Sequence, residues 1–121
     1  MNGIQETKDN NFQELINKNN FVLVIFSSIN CGYCKIAKKN LLSILEQISG
    51  LAVYEYIIDS NSVIMEKYNV TSVPLMILFD KGEAVHRFFG VRQKEDLYYQ
   101  LKAYLPADMT GQNKYDQWPD Q

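Results

Sequence analysis

Apolar residues in this chain come in two rhythms, an unbroken run from Phe21 to Phe26 and a helical recurrence through Ile36, Ala37, Leu41, Ile44, Leu45 and Ile48. The first predicts a strand buried on both faces. The second, with Lys35, Lys38, Lys39, Glu46 and Gln47 on the opposite side, predicts an amphipathic helix from Cys34 to about Ser49. Upstream, Phe12, Leu15 and Ile16, with Asn19 at the end of the same face, predict a short first helix capped by Asp9 or Asn10 and ended by the polar stretch 17–20. Downstream, Gly50 serves as the residue that ends the long helix, and Leu51–Ile58 reads as a second buried strand. A short helix through Val63, Ile64, Met65 and Tyr68, capped by Ser60 or Asn61, comes next.

Thr71-Ser72-Val73-Pro74 leads into the strand Leu75–Phe79, Asp80-Lys81-Gly82-Glu83 carries hairpin chemistry, and Ala84–Phe89 returns as the paired strand. Leu97, Leu101, Tyr104 and Leu105, with Tyr98 at the margin, mark a last helix stopped by Pro106. From Ala107 to Gln121 there is no periodicity. The expectation is one domain over residues 1–106 and a loosely held tail over 107–121, on which Trp118 could dock. This order of elements predicts an α/β fold, a central mixed sheet of four or five strands with helices on both faces.

With 121 residues, 46% of them hydrophobic, the chain is long enough for one real core and too short for two ordinary domains. The net charge of −2 comes without a long run of either sign, so nucleic acid and membrane surfaces are not expected partners. Residues 1–9 show neither a basic leader nor an apolar core, and no stretch reaches the length of a membrane span. A cytoplasmic protein is the expectation. In a reducing compartment two lone cysteines make a poor structural staple and a better redox pair.

Those cysteines form Cys31-Gly32-Tyr33-Cys34, directly after the buried strand. If a helix begins inside the motif, the Cys31 sulfur sits among unpaired backbone N–H groups and the helix dipole favours its thiolate. Cys31 is therefore the candidate nucleophile, and Cys34, one turn further in, the candidate resolving thiol. A zinc site needs about four ligands, and two thiols with the single His86 do not supply them. His86 is expected to be an ordinary exposed histidine. Lys35, Lys38 and Lys39 are read either as a source of positive potential beside Cys31 or as a solvated helix face. Tyr33 is read as a substrate contact or a space-filler between the thiols, and Tyr54, Tyr56, Tyr98, Tyr99 and Tyr104 as ordinary strand and helix residues.

Taken together, Cys31-Gly32-Tyr33-Cys34-Lys35 after a strand, Asp59 closing the next strand, Val73-Pro74 before another, Lys81-Gly82-Glu83 in the hairpin and Gly90 beyond it resemble the thioredoxin family over roughly residues 10–105. The resemblance implies the thioredoxin fold, a cis peptide bond before Pro74, and a substrate site lined by Val73 and Pro74. It also implies a thiol:disulfide oxidoreductase acting on protein disulfides, with Cys31 and Cys34 as its redox disulfide, no bound cofactor or metal, a thioredoxin-reductase-type electron donor and a monomeric state.

Departures from the pattern are as informative. Asn30 stands where the family usually has Trp, Tyr33 where it has Pro between the cysteines, and Lys39 where its helix has a proline. The buried Asp behind the resolving cysteine aligns with Ile25, and a buried Lys nearby aligns with Glu55. Glu55 is accordingly expected to take over as proton acceptor for Cys34, against the plainer reading of a solvated surface residue. Two rivals stay open: a glutaredoxin-like or isomerase-like enzyme, the glutathione version weakened by the lack of a Gly-Gly pair after the hairpin, and a thioredoxin-fold binding module with an incidental disulfide.

Overall fold

In the computed structural model, residues 3–59 and 62–111 are described. The run from Phe21 becomes β2 (Phe21–Ser27), at the centre of a five-stranded sheet that also contains β1 (Gln5–Thr7), β3 (Ala52–Ile57), β4 (Leu75–Asp80) and β5 (Glu83–Phe89). The order across the sheet is β1-β3-β2-β4-β5, with β1 and β2 parallel to β3 and the pairs β2/β4 and β4/β5 antiparallel. All residues of β2 after Phe21 are buried, because helices cover both faces.

β1 was not anticipated. It has three residues and no apolar run, so its sequence carries no strand periodicity; pairing with β3 makes it a strand.

One face of the sheet is covered by α2 (Gly32–Leu45) and α4 (Lys94–Tyr104), which close a core with Leu23, Ile25, Val53, Met76, Leu78 and Phe88. The other is covered by α1 (Asp9–Lys18) and α3 (Val63–Lys67), around Val22, Val24, Phe26, Tyr56, Ile77 and Phe79. Alternate residues of each strand serve opposite cores, as the period of two requires.

Several local expectations are corrected. The cap position of α1 is Lys8 rather than Asp9 or Asn10, and the Asn11 side chain closes the turn by accepting from the Lys8 N–H at 3.0 Å and the Thr7 hydroxyl at 2.9 Å. α2 ends at Leu45 rather than near Ser49, and Gly50, at φ +82°, turns the chain five residues later. α3 is capped by Ser62, whose hydroxyl accepts from the Met65 N–H at 3.1 Å; Ser60 and Asn61 lie outside the described residues.

In α4 the roles of two tyrosines are reversed. Tyr98 is fully buried in the core while Tyr104 is 43% exposed, since helical spacing alone does not say how far the covered stripe extends. Of the stretch 107–121, expected to be loosely held, residues 107–111 are described: a further turn, α5 (Ala107–Thr110), packs Met109 against the α2 core, and the Ser49 N–H donates to the Met109 carbonyl at 2.8 Å, while 112–121 lie outside the described residues. Trp118 lies outside the described residues.

The hairpin turn has Lys81 at φ +52° and Gly82 at φ +88°, the pair of left-handed residues that a two-residue turn needs to match strand twist. A Cβ at position 82 would also lie 2.3 Å from Oδ1 of the exposed Asn17, which would have to swing its side chain away.

Tyr56 links the second core to α1 and α3. Its hydroxyl donates to Asp9 and shares a hydrogen bond with Ser62, and Asp9 also accepts from the Val63 N–H at 3.3 Å. Burial, reinforced by the bond to the Asp9 carboxylate, pushes the phenol up to about 12 from its ordinary 10. The folded state thus holds this proton more tightly than the unfolded chain, so the stabilisation is complete below pH 10 and is lost as pH rises from 10 to 12. Two units correspond to about 2–3 kcal/mol at most. Urea midpoints measured up the alkaline range should fall more steeply in the wild type than in Tyr56→Phe, and parallel curves would refute the assignment.

Candidate active site

The chain leaves β2 at Ser27, passes through Ser28-Ile29-Asn30, and enters α2 with Cys31 at the cap position. Asn30 takes φ +63°, a left-handed conformation that asparagine tolerates better than most residues, and this turns the chain sharply into the helix. Cys31 Sγ accepts from the Cys34 N–H at 3.1 Å, and the Cys31 carbonyl accepts from Lys35 N–H at 3.2 Å. A sulfur held this way sits at the positive end of a fourteen-residue helix.

Cys31 and Cys34 are joined as a disulfide, with their Cα atoms 5.2 Å apart. The two sulfur-bearing residues are unequal. Cys31 is half-buried, whereas Cys34 is 1% exposed beneath the first turn of the helix. Between them Tyr33 is 70% exposed, so it does not fill space between the thiols.

Val73–Pro74 is a cis peptide immediately before β4. Because Leu75 pairs with Phe26 at the end of β2 and with Phe89 at the end of β5, the proline, the disulfide loop and Gly90 share one end of the sheet. The Pro74 carbonyl accepts from the Gly90 N–H at 3.0 Å. Pro74 is buried and Val73 half-buried, while Ile29, Phe89 and Val91 add exposed apolar surface at this end. Periodicity does not single these three out as part of a site; their only signal in the sequence is an apolar residue just beyond or at the end of a strand.

Glu55 is not a solvated surface residue. It pairs in register with Ile25, on the face covered by α2, and is 8% exposed. The buried Ser27 hydroxyl donates to its Oε2, and Lys38 Nζ lies 2.8 Å from the same oxygen. Lys38 thus belongs to a charge pair whose carboxylate is buried and whose own side chain is partly exposed, instead of a fully solvated face. A signal for it existed: position 38 is four residues past Cys34, hence on the same side of the helix. Lys35 and Lys39 remain exposed.

His86 is half-buried and engaged, contrary to the exposed histidine expected. It stacks on Tyr104 with centroids 4.6 Å apart, meets Phe88 edge-on, and its Nε2 is 2.8 Å from Gln100 Oε1. Among the described residues no group of three or more His, Cys, Asp or Glu could hold a metal ion, and no helix is long and apolar enough to cross a membrane.

A helix-capping, half-exposed sulfur bonded to a buried one, on a mixed sheet beside a cis-proline, is the arrangement of a dithiol that exchanges with other disulfides. The sequence model of the thioredoxin family matches residues 3–103, and the chain belongs to that family. It is 33% identical over 81 residues to a thioredoxin of Mycoplasma pneumoniae, covering 67% of this chain and 79% of that one. To a thioredoxin of Chlamydia trachomatis it is 31% identical over 94 residues, 78% of this chain and 91% of the other. A bifunctional thioredoxin reductase/thioredoxin of Mycobacterium leprae is 34% identical over 104 residues, 85% of this chain but 23% of the longer protein.

Among solved structures, the oxidised thioredoxin of Plasmodium falciparum superposes with a TM-score of 0.75 at 22% identity, covering 84% of this chain and 98% of that one. Mitochondrial thioredoxin 3 of Saccharomyces cerevisiae, also oxidised, gives 0.74 at 21%, with 83% and 94% covered. These two likenesses concern the fold. Together with the Cys31–Cys34 disulfide, family membership makes the chain a thiol:disulfide oxidoreductase.

Proposed function

We propose that the chain reduces disulfides in protein substrates, is recharged by a thioredoxin-reductase-type donor, and works as a monomer in the cytoplasm. The observation that carries this reading is the asymmetry of the two sulfurs, one capping a helix near the surface and one buried. In the dithiol form the Cys31 thiolate, favoured by the Cys34 N–H and the helix dipole, attacks a substrate disulfide. One substrate sulfur leaves with the electron pair, and the other is held on Cys31. Cys34 then transfers its proton to Glu55 and attacks the Cys31 sulfur, which releases the second substrate sulfur and regenerates the Cys31–Cys34 disulfide. Tyr33, Val73 and Pro74 form the surface on which the substrate peptide lies.

The donor reading draws support from the Mycobacterium leprae relative, named for both a thioredoxin reductase and a thioredoxin. Monomeric action is supported by a single chain carrying both thiols of the exchange, and the cytoplasm by the use of the only two cysteines in a redox pair. Insulin reduction driven by NADPH and a thioredoxin reductase tests the scheme against glutathione as donor. Turnover with the reductase is the expected result; turnover with glutathione alone would replace it by a glutaredoxin-type cycle.

Glu55→Gln keeps the shape and the bond from Ser27 while removing the base. Resolution by Cys34 should slow about tenfold to a hundredfold with little change in folding midpoint. Unchanged kinetics would leave Glu55 a structural residue.

A further inference from the structure

The chain leaving β5 carries two exposed apolar side chains, Phe89 and Val91, on either side of Gly90. Because the Gly90 N–H donates to the Pro74 carbonyl at 3.0 Å, this segment lies directly against the cis-proline of the proposed substrate surface. Apolar side chains so placed serve a polypeptide substrate best when their backbone is already held, since a mobile segment must be ordered at every binding event.

A hold comes from the helix that carries the dithiol. Asn40 Nδ2 donates to the Arg92 carbonyl at 2.8 Å, a partly buried contact between residues 52 apart in sequence. The Arg92 side chain adds weaker ties. Its Nε donates to the Phe89 carbonyl at 3.3 Å and its guanidinium pairs with Asp96 at 3.0 Å, both on the exposed surface, where such contacts contribute little.

Asparagine is a poor helix former, yet position 40 lies well inside α2. Helix propensity does not account for it, whereas the bond to Arg92 does. Tyr33 and Asn40 are seven residues apart and so share one stripe of the helix, the stripe that faces the segment 90–92. One rigid element thereby fixes both the helix-capping sulfur and the apolar segment beside Pro74.

We propose that Asn40 is a positioning residue for polypeptide substrates: by holding the Arg92 carbonyl it keeps Phe89 and Val91 in place beside Pro74, where they cover apolar side chains flanking the substrate disulfide. This rests on protein disulfides being the substrates. Asn40 acts at a distance, about two and a half turns of α2 from Cys31.

Rapid mixing of the reduced chain with insulin and, separately, with 5,5′-dithiobis(2-nitrobenzoate) compares a polypeptide disulfide that covers this end of the sheet with a small one that needs little more than Cys31. In Asn40→Leu the second-order rate constant for insulin should fall about threefold to tenfold, the shift in population that loss of one hydrogen bond allows, while that for the small disulfide holds. Leucine is the better helix former, so α2 should be no less stable and unfolding does not account for the fall. Asn40→Asp, equal in size but unable to donate when ionised, should behave as Asn40→Leu does. Arg92→Ala keeps the carbonyl and should lower the insulin rate less than either.

An unchanged insulin rate in Asn40→Leu overturns the proposal, and so does an equal fall with both disulfides, which would mean a disturbed dithiol. A fall in Asn40→Leu that is absent from Asn40→Asp overturns the hydrogen bond as its cause. If Arg92→Ala falls as far as the Asn40 variants, the guanidinium and not Asn40 holds the segment, and the assignment fails. A wild type that attacks the small disulfide but not insulin overturns the protein-substrate reading itself, and this inference with it.

Discussion

Cys31→Ser should reduce insulin reduction by dithiothreitol to the rate without protein, whereas Cys34→Ser should stop one step later, with the chain covalently attached to its substrate. The first loss is chemical. A serine at the cap position accepts from the same N–H group that Cys31 Sγ holds at 3.1 Å, and serine is among the preferred caps, so α2 keeps its start. The hydroxyl, however, is neither ionised near neutral pH nor able to form a disulfide. Compared as reduced proteins, wild type and Cys31→Ser should therefore unfold at similar urea concentrations while differing wholly in activity.

The second loss follows from burial. Cys34 lies under the first turn, bonded to Cys31, and the sequence holds no third cysteine, so without it the mixed disulfide has no internal exit and accumulates as a gel-shifted species that reductant dissolves. Residual Cys31→Ser activity that depends on Cys34 would reverse the assignment of nucleophile and resolver.

Phe12→Ala carries the largest expected cost in stability. Phe12 is fully buried, with ring centroids 6.2 Å from Phe26, 6.0 Å from Tyr56, 5.6 Å from Tyr68 and 5.8 Å from Phe79. One side chain thus ties α1 to β2, β3, β4 and the end of α3. Truncation leaves a void that rings attached to four separate elements cannot close, and a loss of about 3–5 kcal/mol follows. Phe12→Leu keeps most of the volume and should recover a large part of it. The cysteines lie on the α2 face, opposite this core, and only through Val73 does the proposed substrate surface touch it, so activity per folded molecule should change far less than stability below the unfolding midpoint. A loss under about 1 kcal/mol would mean that α1 is not anchored by this residue.

The periodicity that predicts β2 and α2 survives folding because the residues that set it, Leu23, Ile25, Leu41 and Ile44 among them, are the ones the two layers bury against each other. Where elements are short, the pattern had little to work with. β1 exists because β3 offers it an edge, and the Lys8 cap of α1 depends on the Asn11 amide turning back, a contact that residue type alone does not reveal.

The active site shows the same division. Cysteine spacing at a strand-to-helix junction is a local property, so a Cys31–Cys34 pair at the start of a helix is legible in the chain itself. The company they keep could not. Ile25 and Glu55 are thirty residues apart in sequence and directly paired in the sheet, and Lys38 meets Glu55 only because α2 crosses over β3.

The sequence by itself determined the order of elements from α1 to α4, the helix-capping dithiol and the family, because each follows from contacts within a few residues or from a pattern of residue types. Only the tertiary structure decided that Glu55 is buried instead of solvated, that Lys38 is its counter-charge, and that Tyr98 rather than Tyr104 enters the core. Each depends on which surfaces the fold brings together, and burial and charge pairing are set by neighbours that the chain supplies from a distance.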